Sequence, residues 1–200
     1  MKRFAIVVAA MLMVSLTGCY FSETVETRIV LHEKGSPQAT VLIEYGNISS
    51  GEDKLEDVKK DFAQLVKDWQ GDQYLLDSAD EGIVVKSREL LVRDNKLIGR
   101  VTGIMKDIGD SYKLWDIDDE KIMLFDDADD DYELVETNGT ILRTEKNILI
   151  VWPEEATELH WTQRLSEQTR SESFEKNRPV MVKMLQEYLA SQKKTTGGSK

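Results

Sequence analysis

The chain has 200 residues, a formal net charge of −11 and 40% hydrophobic residues. This length and composition fit one globular domain with a core of its own. Nucleic-acid binding requires a basic stripe, and the sequence contains no run of lysine and arginine, so we expect no nucleic-acid partner.

Residues 1–18 have the pattern of a secretory signal peptide. Lys2 and Arg3 give a basic start, an uncharged apolar run covers 4–16, and small residues lead to Gly18. The apolar run is shorter than the roughly 20 apolar residues of a membrane-spanning helix. We therefore expect this segment to be removed.

The residues before the single cysteine resemble a bacterial lipobox. Leu16-Thr17-Gly18-Cys19 is similar to the cleavage site of bacterial lipoproteins. The resemblance implies cleavage before Cys19, a lipid such as palmitate attached there, and anchorage of the chain to a membrane. In Gram-negative lipoproteins an aspartate after the cysteine often means retention in the inner membrane. Tyr20 at that position therefore implies the periplasmic face of the outer membrane.

The alternative to the lipoprotein hypothesis is an ordinary secretory signal followed by an unrelated cysteine. Since Cys19 is the only cysteine, the exported domain cannot form a disulfide within itself. The acidic balance also argues against docking on anionic lipid, so the membrane link depends on the lipid on Cys19.

The first half of the domain is predicted to be a hairpin followed by a helix. Residues 19–23 are predicted to be a short tether, and residues 24–46 alternate as a β-hairpin with its turn at 33–37. Residues 50–70 have helical spacing, with Ser49 and Glu52 as a capping box and Gly71 as the end. We expect the apolar face of this helix to cover a sheet.

Residues 82–152 read as antiparallel strands in a meander, with a last candidate strand at 157–162. Asp94-Asn95 and Asn138-Gly139 each predict a two-residue hairpin turn. Gly99 and Gly103 share the apolar face of one strand and predict close approach of another element, expected to be a helix.

The C-terminal part is predicted to be helical. Asn177 is the expected N-cap of a helix with Pro179 in its first turn, after a polar helix at 166–177. Residues 193–200 are predicted to be a flexible tail. The prediction is a single α+β domain over 24–192, in which an antiparallel β-meander sheet carries two main amphipathic helices.

The segment 110–136 contains twelve acidic residues and two lysines. Asp127, Asp129 and Asp131 have the opening spacing of an EF-hand calcium loop, but Tyr132 replaces its glycine and Asn138 its final glutamate. These three aspartates are weak calcium candidates beside the simpler interpretation of solvated acidic turns. We predict no other metal and no cofactor.

Catalytic patterns are missing from the sequence. It contains no Gly-x-Ser-x-Gly motif, and His32 and His160 are expected to be surface or packing residues. Four tryptophans are expected mainly in the core, with a ligand groove as the alternative: Trp69, Trp115, Trp152 and Trp161.

The sequence therefore predicts a membrane-anchored envelope lipoprotein that is not an enzyme and that binds or scaffolds an envelope protein partner. The alternative is a carrier of a small apolar ligand or lipid. A hydrolase that uses paired carboxylates ranks lowest, together with a calcium-binding module.

Overall fold

The computed structural model describes residues 20–32, 38–112, 114–117, 120–125, 131–144 and 147–196. Over these residues the predicted α+β fold is confirmed. The strands described are β1 (Tyr20–Leu31), β2 (Ala39–Ser50), β3 (Ile83–Arg93), β4 (Lys96–Met105), β5 (Leu114–Ile117), β6 (Glu120–Phe125), β7 (Tyr132–Thr137), β8 (Thr140–Arg143), β9 (Ile148–Pro153) and β10 (Glu158–Leu165). The helices described are α1 (Leu55–Gln70), α2 (Asp72–Asp80), α3 (Ile108–Tyr112) and α4 (Glu172–Thr196).

The described strands form two antiparallel sheets, where the sequence pattern predicted one. The first sheet has six strands in the order β3-β4-β2-β1-β10-β7, and the second has four in the order β5-β6-β9-β8. The chain leaves the first sheet after β4 and then alternates between the two sheets until β10. The candidate strand at 157–162 is real and pairs with β1.

The helices and the second sheet cover the same face of the first sheet. The strand register places Tyr45 of β2 and Trp161 of β10 on that face. Trp69 of α1 packs edge-on against Tyr45, with 5.9 Å between the ring centroids. The ring centroids of Trp152 of β9 and Trp161 are 6.5 Å apart. The long helix α4 packs across β2 and β4. One hydrophobic core therefore joins both sheets and the helices.

Only one of the two predicted hairpin turns forms a hairpin. Asp94 and Asn95 both adopt positive φ, 52° and 58°, as a type I′ turn requires, and they join β3 to β4. The Asn138-Gly139 prediction is wrong. β7 pairs with β10 in the first sheet, whereas β8 pairs with β9 in the second. The turn is a crossing between the sheets.

The side chain of Asn138 holds this crossing together. Its Oδ1 accepts hydrogen bonds from Trp152 Nε1 at 2.7 Å and from the backbone N–H of His160 at 2.9 Å. Its Nδ2 donates to the carbonyl of Glu158 at 3.0 Å. These contacts join the turn to β9 of the second sheet and to β10 of the first. The side-chain amide of Asn138 therefore links the two sheets.

The first strand begins earlier than the alternation predicted. β1 starts at Tyr20, which pairs with Ser50, so residues 20–23 of the predicted tether lie in the strand. Residues 1–19, which include the predicted signal peptide and Cys19, lie outside the described residues. Among the residues that are described, no helix is both long enough and apolar enough to cross a membrane.

The predicted capping box does not form. α1 begins at Leu55, and the preceding residue, Lys54, makes no side-chain cap. Ser49 lies in β2 and donates to the carbonyl of Phe174 at 2.7 Å. The end of α1 is confirmed, because the N–H of Gly71 donates to the carbonyl of Lys67 at 2.8 Å.

The C-terminal helix is longer than predicted. It begins at Glu172, so Asn177 and Pro179 lie inside it, and no separate helix covers 166–177. Asn177 is buried and donates to the carbonyls of Ser50 and Glu52, at 3.0 and 2.7 Å. This polar contact with the end of β2 explains a buried asparagine without a capping role. The helix continues to Thr196, through part of the predicted tail.

Candidate docking surface on the second sheet

The strand register sorts the side chains of the second sheet into two faces, because directly paired residues point to the same side. The inner face belongs to the hydrophobic core: Leu114, Met123, Phe125, Ile141, Ile148, Ile150 and Trp152. The opposite face, here called the outer apolar face, consists of Trp115, Ile117, Ile122, Leu124, Leu142, Leu149 and Val151. None of these seven belongs to the contact cluster that forms the core of the described residues, although Val151 is itself buried, with 8% of its surface exposed.

The outer apolar face is continuous and partly exposed. Two rows of paired residues run across it, one from Trp115 through Ile122 to Val151, the other from Leu124 through Leu149 to Leu142. Trp115 is 44% exposed, and Ile117 and Leu142 are each 49% exposed. Contiguous exposed apolar surfaces are uncommon on folded domains and are candidates for interaction sites.

The first sheet provides an internal comparison, because its face opposite the core is charged in its centre. Glu44 pairs with Arg93 and with Arg100, whose Nη2 lies 3.0 Å from its carboxylate. Burial opposes the ionisation of Glu44, but the hydrogen bonds from the two arginines outweigh it and lower its pKa. A solvated antiparallel sheet normally carries such polar side chains. The outward face of a sheet in this fold can therefore be charged. The fold alone does not explain why the corresponding face of the second sheet is apolar.

Acidic residues flank the outer apolar face in the sequence. Asp116 and Glu120 stand at the ends of β5 and β6, with Asp118 and Asp119 between them. The connection that follows β6, residues 126–131, contains five aspartates. The cations on the strands of the second sheet are Lys121, which faces Asp116 at 3.5 Å, and Arg143. The connections on either side of β6 in the sequence are thus predominantly acidic.

The calcium candidates are only partly described. Asp127 and Asp129 lie outside the described residues. Asp131 Oδ1 accepts a hydrogen bond from Thr169 Oγ1 at 2.6 Å, and its carbonyl accepts one from the N–H of Ser166. Asp131 therefore holds the segment after β10. Across the described residues, no group of three or more His, Cys, Asp or Glu side chains could hold a metal ion.

The two histidines lie in different parts of the first sheet. His32 Nε2 lies 2.8 Å from Thr40 Oγ1 at the exposed end of the first hairpin. His160 lies on the charged face of the first sheet, with its Nε2 3.2 Å from Glu26 Oε1. Both placements agree with the expected surface and packing roles.

One carboxyl group has a strongly raised pKa. Burial raises the pKa of Glu81, at the end of α2, to about 7, and the negative charge of Asp77 adds to this effect. Within the described parts of the chain, Glu81 is not among the residues that line the aromatic cavity between α1 and α2 or the cavity beside Arg164.

Three of the four tryptophans are buried, as expected, and the fourth, Trp115, is exposed on the outer apolar face. The sequence pattern did not identify this face. A usable signal was present, because Ile148–Trp152 is apolar without a break. Such a run is typical of a strand that is covered on both sides.

No known protein family, curated protein or solved structure matches this chain.

Proposed function

We propose that this chain is a lipid-anchored, non-enzymatic envelope protein that docks a partner protein through the outer apolar face of its second sheet. The observation that carries the proposal is the set of seven apolar side chains on that face, of which Trp115, Ile117 and Leu142 are 44%, 49% and 49% exposed. Desolvation of such side chains by a partner stabilises the complex by roughly 25 cal/mol per Å² of apolar area.

The charge around this face favours one kind of partner. An apolar surface bordered by lysine or arginine complements the acidic connections that flank β5 and β6. A second copy of the chain would bring like charges together, and an anionic lipid surface would repel the same acids. The proposed occupant is therefore a protein with an apolar strip and a basic border.

Site-specific photocrosslinking in cells tests this docking. A photoreactive amino acid at Leu142 or Trp115 is expected to give one adduct of the same size from both positions. The matched control is Thr102, on the charged face of the first sheet, which is expected to give none. Leu142→Asp should abolish the adduct formed from position 115 and leave the melting temperature nearly unchanged, because Leu142 is half exposed.

Three results would contradict the docking proposal. An adduct of twice the mass of the chain would show self-association. Equal adducts from position 102 would show contact without a specific surface. Binding of the unacylated protein to lipid vesicles, lost in Leu142→Asp, would assign the face to a membrane.

The anchor is tested separately by metabolic labelling with palmitate. The lipobox resemblance predicts label on the chain and no label on C19A, with the labelled protein in the outer-membrane fraction. Label that persists in C19A would overturn the assignment of Cys19.

A further inference from the structure

An aromatic pocket of about 270 Å³ lies between α1 and α2, next to the start of β1. Four aromatic residues line it: Tyr20, Tyr45, Trp69 and Tyr74. Its volume corresponds to roughly nine water molecules and lies just below the roughly 300–1,000 Å³ of pockets for drug-sized ligands. The pocket therefore fits a small molecule and is too small to enclose a long acyl chain.

The aromatic rings of the pocket wall are inclined to one another and are held in place. The ring of Trp69 stands at 89° to Tyr45 and at 41° to Tyr74, with centroids 5.9 and 5.6 Å apart. Arg88 donates hydrogen bonds of 2.8 Å to the carbonyls of Gly71 and Gln70, which fix the corner between α1 and α2. The pocket is thus formed before any ligand binds.

The border of the pocket is acidic. Asp68, Asp72 and Asp77 line it together with the cation of Lys67, and the Arg88 guanidinium lies 5.7 Å from the centre of the Tyr74 ring. Asp68 accepts hydrogen bonds from Tyr20 at 2.9 Å and from Gln64 at 2.6 Å, so its position is fixed. Aromatic faces attract cations through the ring quadrupole, and carboxylates add to that attraction. Together these groups favour a positively charged occupant.

We propose that the aromatic pocket binds a small alkylammonium group. The aromatic rings and the border aspartates receive the ammonium group. The chemistry is shared by free solutes such as choline, glycine betaine and ethanolamine and by the ethanolamine headgroup of a phospholipid. The site is independent of the outer apolar face.

Isothermal titration of the unacylated C19S protein with choline tests the proposal. Choline is expected to bind at one site, at least about tenfold more tightly than its uncharged isostere 3,3-dimethylbutan-1-ol. Equal affinity for the two compounds, or no heat with choline, betaine and ethanolamine alike, would overturn the proposal.

Variants on α2 locate the site. Asp77→Asn is expected to weaken choline binding several-fold, because it removes a carboxylate from the border. Asp80→Asn removes the same charge from the same helix, but Asp80 does not line the pocket. This variant should bind choline as tightly as the parent protein does. Tyr74→Phe keeps the ring and should retain binding, whereas Tyr74→Leu should lose it. An equal loss in Asp77→Asn and Asp80→Asn would show a nonspecific charge effect and overturn the assignment.

Two arms distinguish the source of the ligand. Ethanolamine titration tests the free solute, and cosedimentation with vesicles of phosphatidylethanolamine or phosphatidylglycerol tests the headgroup. A preference for phosphatidylethanolamine vesicles that Asp77→Asn removes assigns the pocket to a lipid headgroup. Binding of the solutes without that preference assigns it to a free metabolite.

Discussion

Asn138 connects the two sheets through three hydrogen bonds that involve residues 14 to 22 positions away in the chain. We expect Asn138→Ala to lower the free energy of unfolding by about 2 kcal/mol, because the buried Trp152 Nε1 would lose its partner. Urea unfolding followed by circular dichroism measures this change.

Asn147→Ala is the matched control for Asn138→Ala. Asn147 is an exposed asparagine beside β9, and its backbone, not its side chain, makes the hydrogen bonds with Thr144. Its replacement should change the free energy of unfolding by less than about 0.5 kcal/mol. Equal effects at positions 138 and 147 would show that the amide of Asn138 is dispensable.

Glu81 gives the domain a pH-dependent stability. Its pKa is about 7 in the folded protein because of burial and then Asp77, whereas an unfolded glutamate titrates near 4.3. Below about pH 4, Glu81 is protonated in the folded and the unfolded protein, and the stability of the domain is not reduced by its ionisation. This stability is lost as the pH rises through 7, because Glu81 then ionises in the folded protein. Glu81→Gln should be about 1 kcal/mol more stable than the parent at about pH 8.5, a value reduced for the partial exposure of the side chain.

The difference between Glu81→Gln and the parent should nearly vanish at about pH 4.5, where the folded parent is protonated at Glu81. Thermal melts at the two pH values measure it, and Asp80→Asn on the same helix controls for net charge. A stabilisation of the same size at both pH values would contradict the assignment.

Single residues also mark the limit of prediction from sequence. Asp94-Asn95 was predictable because its positive φ angles are a local property of the turn. Asn138-Gly139 was not, because the amide bonds to strands that come later in the chain. Ser49 and Asn177 were misassigned as helix caps for the same reason, since each bonds across the fold.

At the scale of elements, the contact between α1 and β4 depends on Gly99. A Cβ at this position would lie 2.5 Å from Trp69 Cη2, which is too close for any side chain. Gly99→Ala should therefore displace Trp69 and destabilise the domain by about 1–3 kcal/mol. Chemical unfolding measures this, and tryptophan fluorescence reports the changed environment of the ring.

Gly109→Ala is the matched control for Gly99→Ala. A Cβ at Gly109 would make only ordinary contacts at 3.4 Å, so we expect little change or a small gain in stability. The combination of Gly99→Ala with Trp69→Leu should cost less than the sum of the two single changes. Additive effects would contradict the proposed contact.

The sequence pattern located an element correctly where one side of that element is polar. Alternation or helical spacing located β1, β2, β3, β4 and α1, because each of these has a polar side. Close approach at Gly99 was also predicted, although the approaching group is a side chain of the helix. The separate second sheet was not predicted, because β9 is apolar on both faces. An alternation of apolar and polar residues is needed to tell which side chains of a strand face the core. The outer apolar face was missed with it.

At the scale of the whole molecule, a single core predicts a single unfolding transition. Leu185 of α4 is fully buried in the same cluster as Ile150 of the second sheet. Leu185→Ala should lower the free energy of unfolding by about 2–5 kcal/mol and shift the far-ultraviolet dichroism and tryptophan fluorescence transitions together.

Lys183→Ala, on the exposed side of the same helix, controls for helix propensity and should leave both transitions nearly unchanged. Two separate transitions in Leu185→Ala, with only one of them shifted, would show that the sheets fold independently. The single domain predicted from chain length would then be wrong.

The position of β1 has a mechanical consequence. This strand lies inside the first sheet, paired with β2 along eleven positions and with β10 along seven. A force that enters the chain at residue 20 and runs along the strand pulls across these hydrogen bonds, which lie perpendicular to it. The bonds would share the load and break together in shear, rather than one after another as in peeling from an edge. A domain tethered at this end would resist extraction more strongly than its equilibrium stability alone suggests.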